Sequence, residues 1–149
     1  MIDDSNLKGV LTELRVQQEF LKYGFNVSVP VNPASRYDMI VDINNNLYKV
    51  QCKTAHPSDG GFSISLYSTN KLNGRYFKNT YDRSEVDLFA TTYNDKVYII
   101  PNNEIANKKV LTLRTVPPIN HQTVNINYAE NYQFDNLMNN NTHYLPLNL

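Results

Sequence analysis

Hydrophobic positions recur every three to four residues between residues 5 and 23. Beyond residue 24 they recur mostly every second residue, so the chain reads as one helix followed by short strands. Ser5 or Asn6 supplies the helix N-cap and Gly24 the stop. Leu7, Val10, Leu11, Leu14 and Leu21 share one side of that helix, widened by Val16 and Phe20, and this is the expected core face. Lys8, Arg15, Glu19 and Lys22 take the opposite side. Glu13 falls inside the apolar arc, where a carboxylate is costly unless a metal, a cation or hydrogen-bond donors meet it. Gln17 shares that arc and reads as a hydrogen-bonded core amide.

Residues 25–31 read as a strand, and residues 36–55 as a hairpin over the run Asn44-Asn45-Asn46. Residues 61–68 alternate as a further strand, and residues 86–93 and 96–101 form a second hairpin over Asn94-Asp95. Residues 123–128 suggest one more strand. Residues 69–83 are polar, basic and aromatic with no steady period, and they read as a connection. The asparagine-rich C-terminal tail carries no pattern. With neither an internal repeat nor a dividing linker, residues 1–149 are expected to form a single domain of α/β class, a central mixed β-sheet with the N-terminal helix packed on it.

The asparagine turn sets the register of the first hairpin. A two-residue turn at Asn45-Asn46 places Asp38 opposite Lys53, Ile40 opposite Gln51, and Asp42 opposite Lys49 as a weak ion pair. Met39, Val41, Ile43, Tyr48, Val50 and Cys52 then share an apolar face, and the charges gather on the other. A slip of one residue would scramble both faces. Gln51 and Lys53 point the same way, roughly 7 Å apart along the strand, with Asp38 about 5 Å across the ladder. If the helix packs near these strand ends, Glu13 joins them. Asp38 and Glu13 supply anionic oxygens, Gln51 an amide oxygen and Cys52 its main-chain carbonyl, a donor set that suits Mg²⁺ or Mn²⁺ better than zinc. Lys53 beside such an ion points to phosphodiester hydrolysis.

Composition narrows the classes. The chain is 41% hydrophobic and 19% charged, which is globular rather than disordered. No apolar run approaches the roughly 18 to 20 residues that cross a bilayer, and the opening residues lack a signal-peptide layout, so a cytoplasmic location is expected. The lone cysteine, Cys52, excludes an internal disulfide. A net charge of zero argues against diffuse nucleic-acid binding. It leaves room for a local basic surface, and Lys71, Arg75, Lys78 and Arg83, interleaved with Tyr76, Phe77 and Tyr81, are the candidate DNA-binding group. Lys108, Lys109 and Arg114 form a second basic group.

The order of helix Glu13, then "RYDMIVD", then "VQCKTA" resembles the PD-(D/E)xK nuclease superfamily, in which an acid on one strand precedes a Glu/Asp-x-Lys on the next. Gln51-x-Lys53 in place of Glu-x-Lys, with the later "VDLFATTYNDKVYIIP", is similar to the homing endonucleases encoded in bacterial group I introns. The resemblance implies a restriction-endonuclease-like fold and Mg²⁺- or Mn²⁺-dependent cleavage of double-stranded DNA. It assigns catalytic roles to Glu13, Asp38, Gln51 and Lys53, and metal contacts to Glu13, Asp38, Gln51 and Cys52. It also implies a homo-oligomer, dimer or tetramer. Ser35-Arg36-Tyr37 stands where the motif has its proline. Two alternatives remain open at this point: a Holliday-junction-resolvase-like nuclease, and an inactive DNA-binding module on the same fold.

Overall fold

The computed structural model describes residues 5–105 and 107–140. Helix α1 (Ser5–Lys22) stops where Gly24 takes a φ of 81°, a value that favours a residue without Cβ. The chain continues through β1 (Asn26–Ser28), β2 (Met39–Ile43), β3 (Asn46–Cys52), β4 (His56–Ser58) and β5 (Gly61–Ser65). It then forms β6 (Tyr67–Leu72), β7 (Arg75–Thr80), β8 (Leu88–Tyr93), β9 (Lys96–Pro101) and β10 (Val110–Arg114). A short helix α2 (Phe134–Asn140) follows.

Strands β1, β2, β3, β8 and β9 make a mixed sheet in that order, antiparallel except for the parallel pair β3 and β8. Strands β10, β5 and β4 make a second, antiparallel sheet, and β6 and β7 pair only with each other as a two-stranded ribbon. Strands β8 and β9 are buried on both faces. Leu88, Ala90, Val97 and Ile99 face one core with Val16, Phe20, Val41, Val50 and Phe134. Phe89, Tyr98 and Ile100 face a second core with Phe62, Ile64, Leu111 and Leu113. Burial on both sides explains why these strands read as nearly continuous apolar runs. Helix α1 covers the first core, where Phe20 meets Phe134 edge to face at 5.0 Å.

Helix α1 buries the Val16 and Phe20 part of its expected core face but turns the leucine side outward. Its buried residues are Thr12, Val16, Glu19 and Phe20. Leu7, Val10, Leu11, Leu14 and Leu21 are between 45% and 57% exposed. The inward face is held by charge as well as by apolar contact. The buried Glu19 carboxylate accepts from Arg15, which also reaches Asp95 in the β8–β9 turn, and Lys22 lies 3.9 Å from Glu19. Thr12 turns its hydroxyl back onto the Lys8 carbonyl at 2.9 Å, which satisfies it inside the helix.

The first hairpin turns at Asn44-Asn45, both at positive φ (52° and 65°), rather than at Asn45-Asn46. The register therefore moves by two residues, pairing Ile40 with Lys49 and Asp42 with Leu47. An even shift preserves the faces. Met39, Val41, Ile43, Val50 and Cys52 are buried as expected, but Asp42 and Lys49 are no longer opposite each other. Lys49 is engaged elsewhere, its N–H donating to Asp87 and its ammonium to the Ser84 carbonyl.

Residues 67–80, expected to be partly a patternless connection, form the ribbon, turning over Asn73-Gly74. Residues 123–128 form no strand, contributing only a bridge between Tyr128 and Arg114. The second hairpin turns over Asn94-Asp95 as expected, at φ of 47° and 62°. The tail beyond residue 140 lies outside the described residues. Among the described residues no helix is long and apolar enough to cross a membrane.

Candidate active site

The open end of the β2–β3 hairpin, opposite its asparagine turn, gathers the candidate residues. Asp38 precedes β2, and its N–H donates to the Val50 carbonyl at 2.9 Å. Its Oδ2 accepts from the Cys52 N–H at 2.7 Å, which fixes the carboxylate against the last residue of β3. The register shift thus places Asp38 beside residues 50–52 rather than directly across from Lys53. Burial pushes the Asp38 carboxyl above the ordinary carboxylate range, against the Cys52 hydrogen bond and the Lys53 charge, which both lower it.

Glu13 reaches the same place from α1. With the helix turned, it lies at the margin of the buried face, next to the direction of Phe20 and away from the outward leucines. It is half-buried, and burial followed by the Asp38 charge raises its carboxyl. Two acids whose carboxyls are both raised thus sit within electrostatic reach of one another. Cys52 is buried with its thiol raised well above the ordinary value, first by burial and then by Asp38 and Glu13, so it is an inert core side chain.

Gln51 lies half-buried on the polar face of β3, its Nε2 donating to the Cys52 carbonyl at 3.3 Å. The Lys53 ammonium donates to the Tyr67 carbonyl at 2.9 Å and to the Tyr81 hydroxyl at 3.0 Å, at the root of the ribbon. Among the described residues no three His, Cys, Asp or Glu side chains cluster as a metal cage. The oxygen donors at this end are two carboxylates, an amide and a carbonyl. This set fits a hard divalent ion that keeps several waters, and a dication between Glu13 and Asp38 would offset the Asp38 charge that helps to raise Glu13 and the burial that raises Asp38.

Lys71, Arg75 and Lys78 stand on the ribbon, where every residue of β7 is exposed. Arg83 lies off it, lining a cleft of about 600 Å³ with Tyr81, Ser84, Asn103 and Lys108. Arg36, given no role from the sequence, is a hub: it donates to Glu85 Oε1 and the Thr80 carbonyl, each at 3.1 Å, and to the Ser68 hydroxyl. Its guanidinium also lies 4.0 Å over the Tyr81 ring. Position was its one signal, a lone cation two residues before Asp38. The contact of Tyr81 with Lys53 spans 28 residues and has no local signature.

No curated protein matches the chain. Among solved structures, the bacterial homing endonuclease I-Ssp6803I superposes with a TM-score of 0.72 at 20% identity, covering 87% of this chain and 88% of that one. A family profile described as PD-(D/E)XK endonuclease matches residues 3–135. Nearly the whole chain carries that match, and its fold is that of a nuclease: the chain belongs to the PD-(D/E)XK endonuclease family.

Proposed function

We propose that the chain is a metal-dependent endonuclease that hydrolyses phosphodiester bonds of double-stranded DNA, of the homing-endonuclease kind, acting in the cytoplasm as a homo-oligomer. The observation that carries this reading is the Asp38 carboxylate fixed by the Cys52 N–H, within electrostatic reach of Glu13 and with Lys53 at the same strand end. Bound Mg²⁺ or Mn²⁺ would supply a Lewis acid and a bound water of lowered pKa. Glu13, Asp38, the Gln51 side chain and the Cys52 carbonyl are the residues that would hold it. The Cys52 N–H keeps Asp38 aimed, and Lys53 places a positive charge where the phosphate becomes more negative. Lys71, Arg75 and Lys78 would follow the DNA backbone along the exposed ribbon, with Arg83 at its root. The outward leucine face of α1 supports the assembly.

Incubation with a mixed plasmid library and Mg²⁺, followed by sequencing of the new ends, tests the reading. Cutting of plain duplex at one sequence is the expected result, and cutting confined to branched DNA would favour the resolvase-like alternative. Lys53→Ala should abolish cleavage while calorimetry shows Mg²⁺ binding largely intact. Retained cutting would remove Lys53 from the mechanism.

One observation favours a second reading, a DNA-binding module without activity. Gln51 turns its amide nitrogen, not its oxygen, toward the Cys52 carbonyl. Such a module would bind DNA but give no heat with Mg²⁺ or Mn²⁺ that depends on Asp38.

A further inference from the structure

We infer that Tyr81 is a positioning residue for Lys53, tying the lysine to the root of the DNA-binding ribbon. A lysine ammonium sits on a flexible four-carbon stem with many rotamers. Its charge acts on a phosphate only if something holds it in place. Two acceptors do so here, the Tyr67 carbonyl at 2.9 Å and the Tyr81 hydroxyl at 3.0 Å. An ammonium has three N–H donors, so these two contacts leave a third for the scissile phosphate or the attacking water.

The anchor is itself held. The Tyr81 ring packs edge-on to Phe89 at 5.6 Å, and the Arg36 guanidinium lies over it at 4.0 Å. Tyr67 pairs with Thr80 as the last rung of the ribbon, and Tyr81 follows directly. Arg36 grips the same rung through the Thr80 carbonyl and the neighbouring Ser68 hydroxyl. The backbone that carries Lys71, Arg75 and Lys78 outward is therefore the backbone that fixes Lys53. The geometry alone says how the lysine is held. What the lysine does there rests on the nuclease reading.

Tyr81→Phe removes the hydroxyl and keeps the ring under Arg36 and against Phe89. The single-turnover cleavage rate at saturating DNA and Mg²⁺ should fall about 10- to 100-fold, the loss expected when a catalytic group is misplaced by up to an ångström. Half-saturating DNA and Mg²⁺ concentrations should stay within about twofold, and Tm should be unchanged. A wild-type rate overturns the inference, and so does a rate loss that merely tracks weaker DNA binding or lower Tm.

A second readout needs no catalysis. Acylation of Lys53 by an amine-reactive ester, followed by mass spectrometry, should run several-fold faster in Tyr81→Phe than in wild type. An equal rate overturns the anchoring. A wild-type protein that cuts no DNA with either metal overturns the nuclease reading instead, so the two failures are distinct.

Discussion

At the scale of single residues, Asp38 shows what a withdrawn carboxylate, the proposed metal ligand, costs a fold. Its carboxylate is largely withdrawn from water and within reach of Glu13, and burial raises its pKa despite the Cys52 hydrogen bond and the nearby Lys53. A raised acid penalises the folded state while ionised. The penalty is present at pH values above the raised pKa and disappears as pH falls through it. Asp38→Asn keeps an oxygen acceptor for the Cys52 N–H and removes the charge. In chelator at neutral pH the variant should therefore melt about 2–4 °C above wild type, the shift that about 1 kcal/mol gives in a domain of this size. The gap should close on acidification. Mg²⁺ should raise the wild-type Tm through binding to the folded state and leave the variant unmoved. A variant less stable than wild type in chelator would show that Asp38 is a structural hydrogen-bonding group and not a strained ligand.

Elements were legible in the sequence where one face is buried and obscure where none is. Strands β2 and β3 alternate because Met39, Val41, Ile43, Val50 and Cys52 pack into a core, so their polar ends could be grouped from spacing alone. The exact turn could not, because Asn44, Asn45 and Asn46 offer the same turn chemistry twice. The even shift between the two options moved Asp38 along β3 without turning it off the site face. In α1 the leucines dominated the periodicity, while the true inward face depends on Glu19 partnering Arg15 and Lys22, contacts that an apolar pattern cannot register. The ribbon left no pattern because β7 is exposed throughout and nothing selects one face. That exposure also makes it a clean target. Replacing Lys71, Arg75 and Lys78 by Ala should leave Tm unchanged. If all three meet phosphates, it should flatten the slope of log affinity against log salt by about 2.7, at about 0.9 per phosphate contact. An unchanged slope would assign the ribbon to something other than the DNA backbone.

For the whole molecule, the question is what lies against the outward face of α1. Leu7, Leu14 and Leu21 are spaced by seven residues, with Val10 and Leu11 beside them, and all five are about half exposed. An 18-residue helix is about 27 Å long. Three leucines at that interval form a seam of the kind that packs against a like seam. Antiparallel pairing about a two-fold axis near Leu14 would set Leu7 of one copy against Leu21 of the other. The same symmetry would carry two ribbons to two half-sites, which is how a small domain lengthens its recognition of DNA. The leucine arc points away from Glu13, so the face can be altered without touching the site. Leu7→Glu with Leu11→Glu should reduce the mass seen by light scattering from a multiple of 17.2 kDa to 17.2 kDa. Because these side chains lie outside both cores, the Tm of the separated subunit should stay high enough for a cooperative transition. Cutting of both strands should give way to nicking, since each separated copy brings one Asp38–Lys53 site. A variant that keeps the wild-type mass would place the interface elsewhere, and a wild type of 17.2 kDa would remove the assembly altogether.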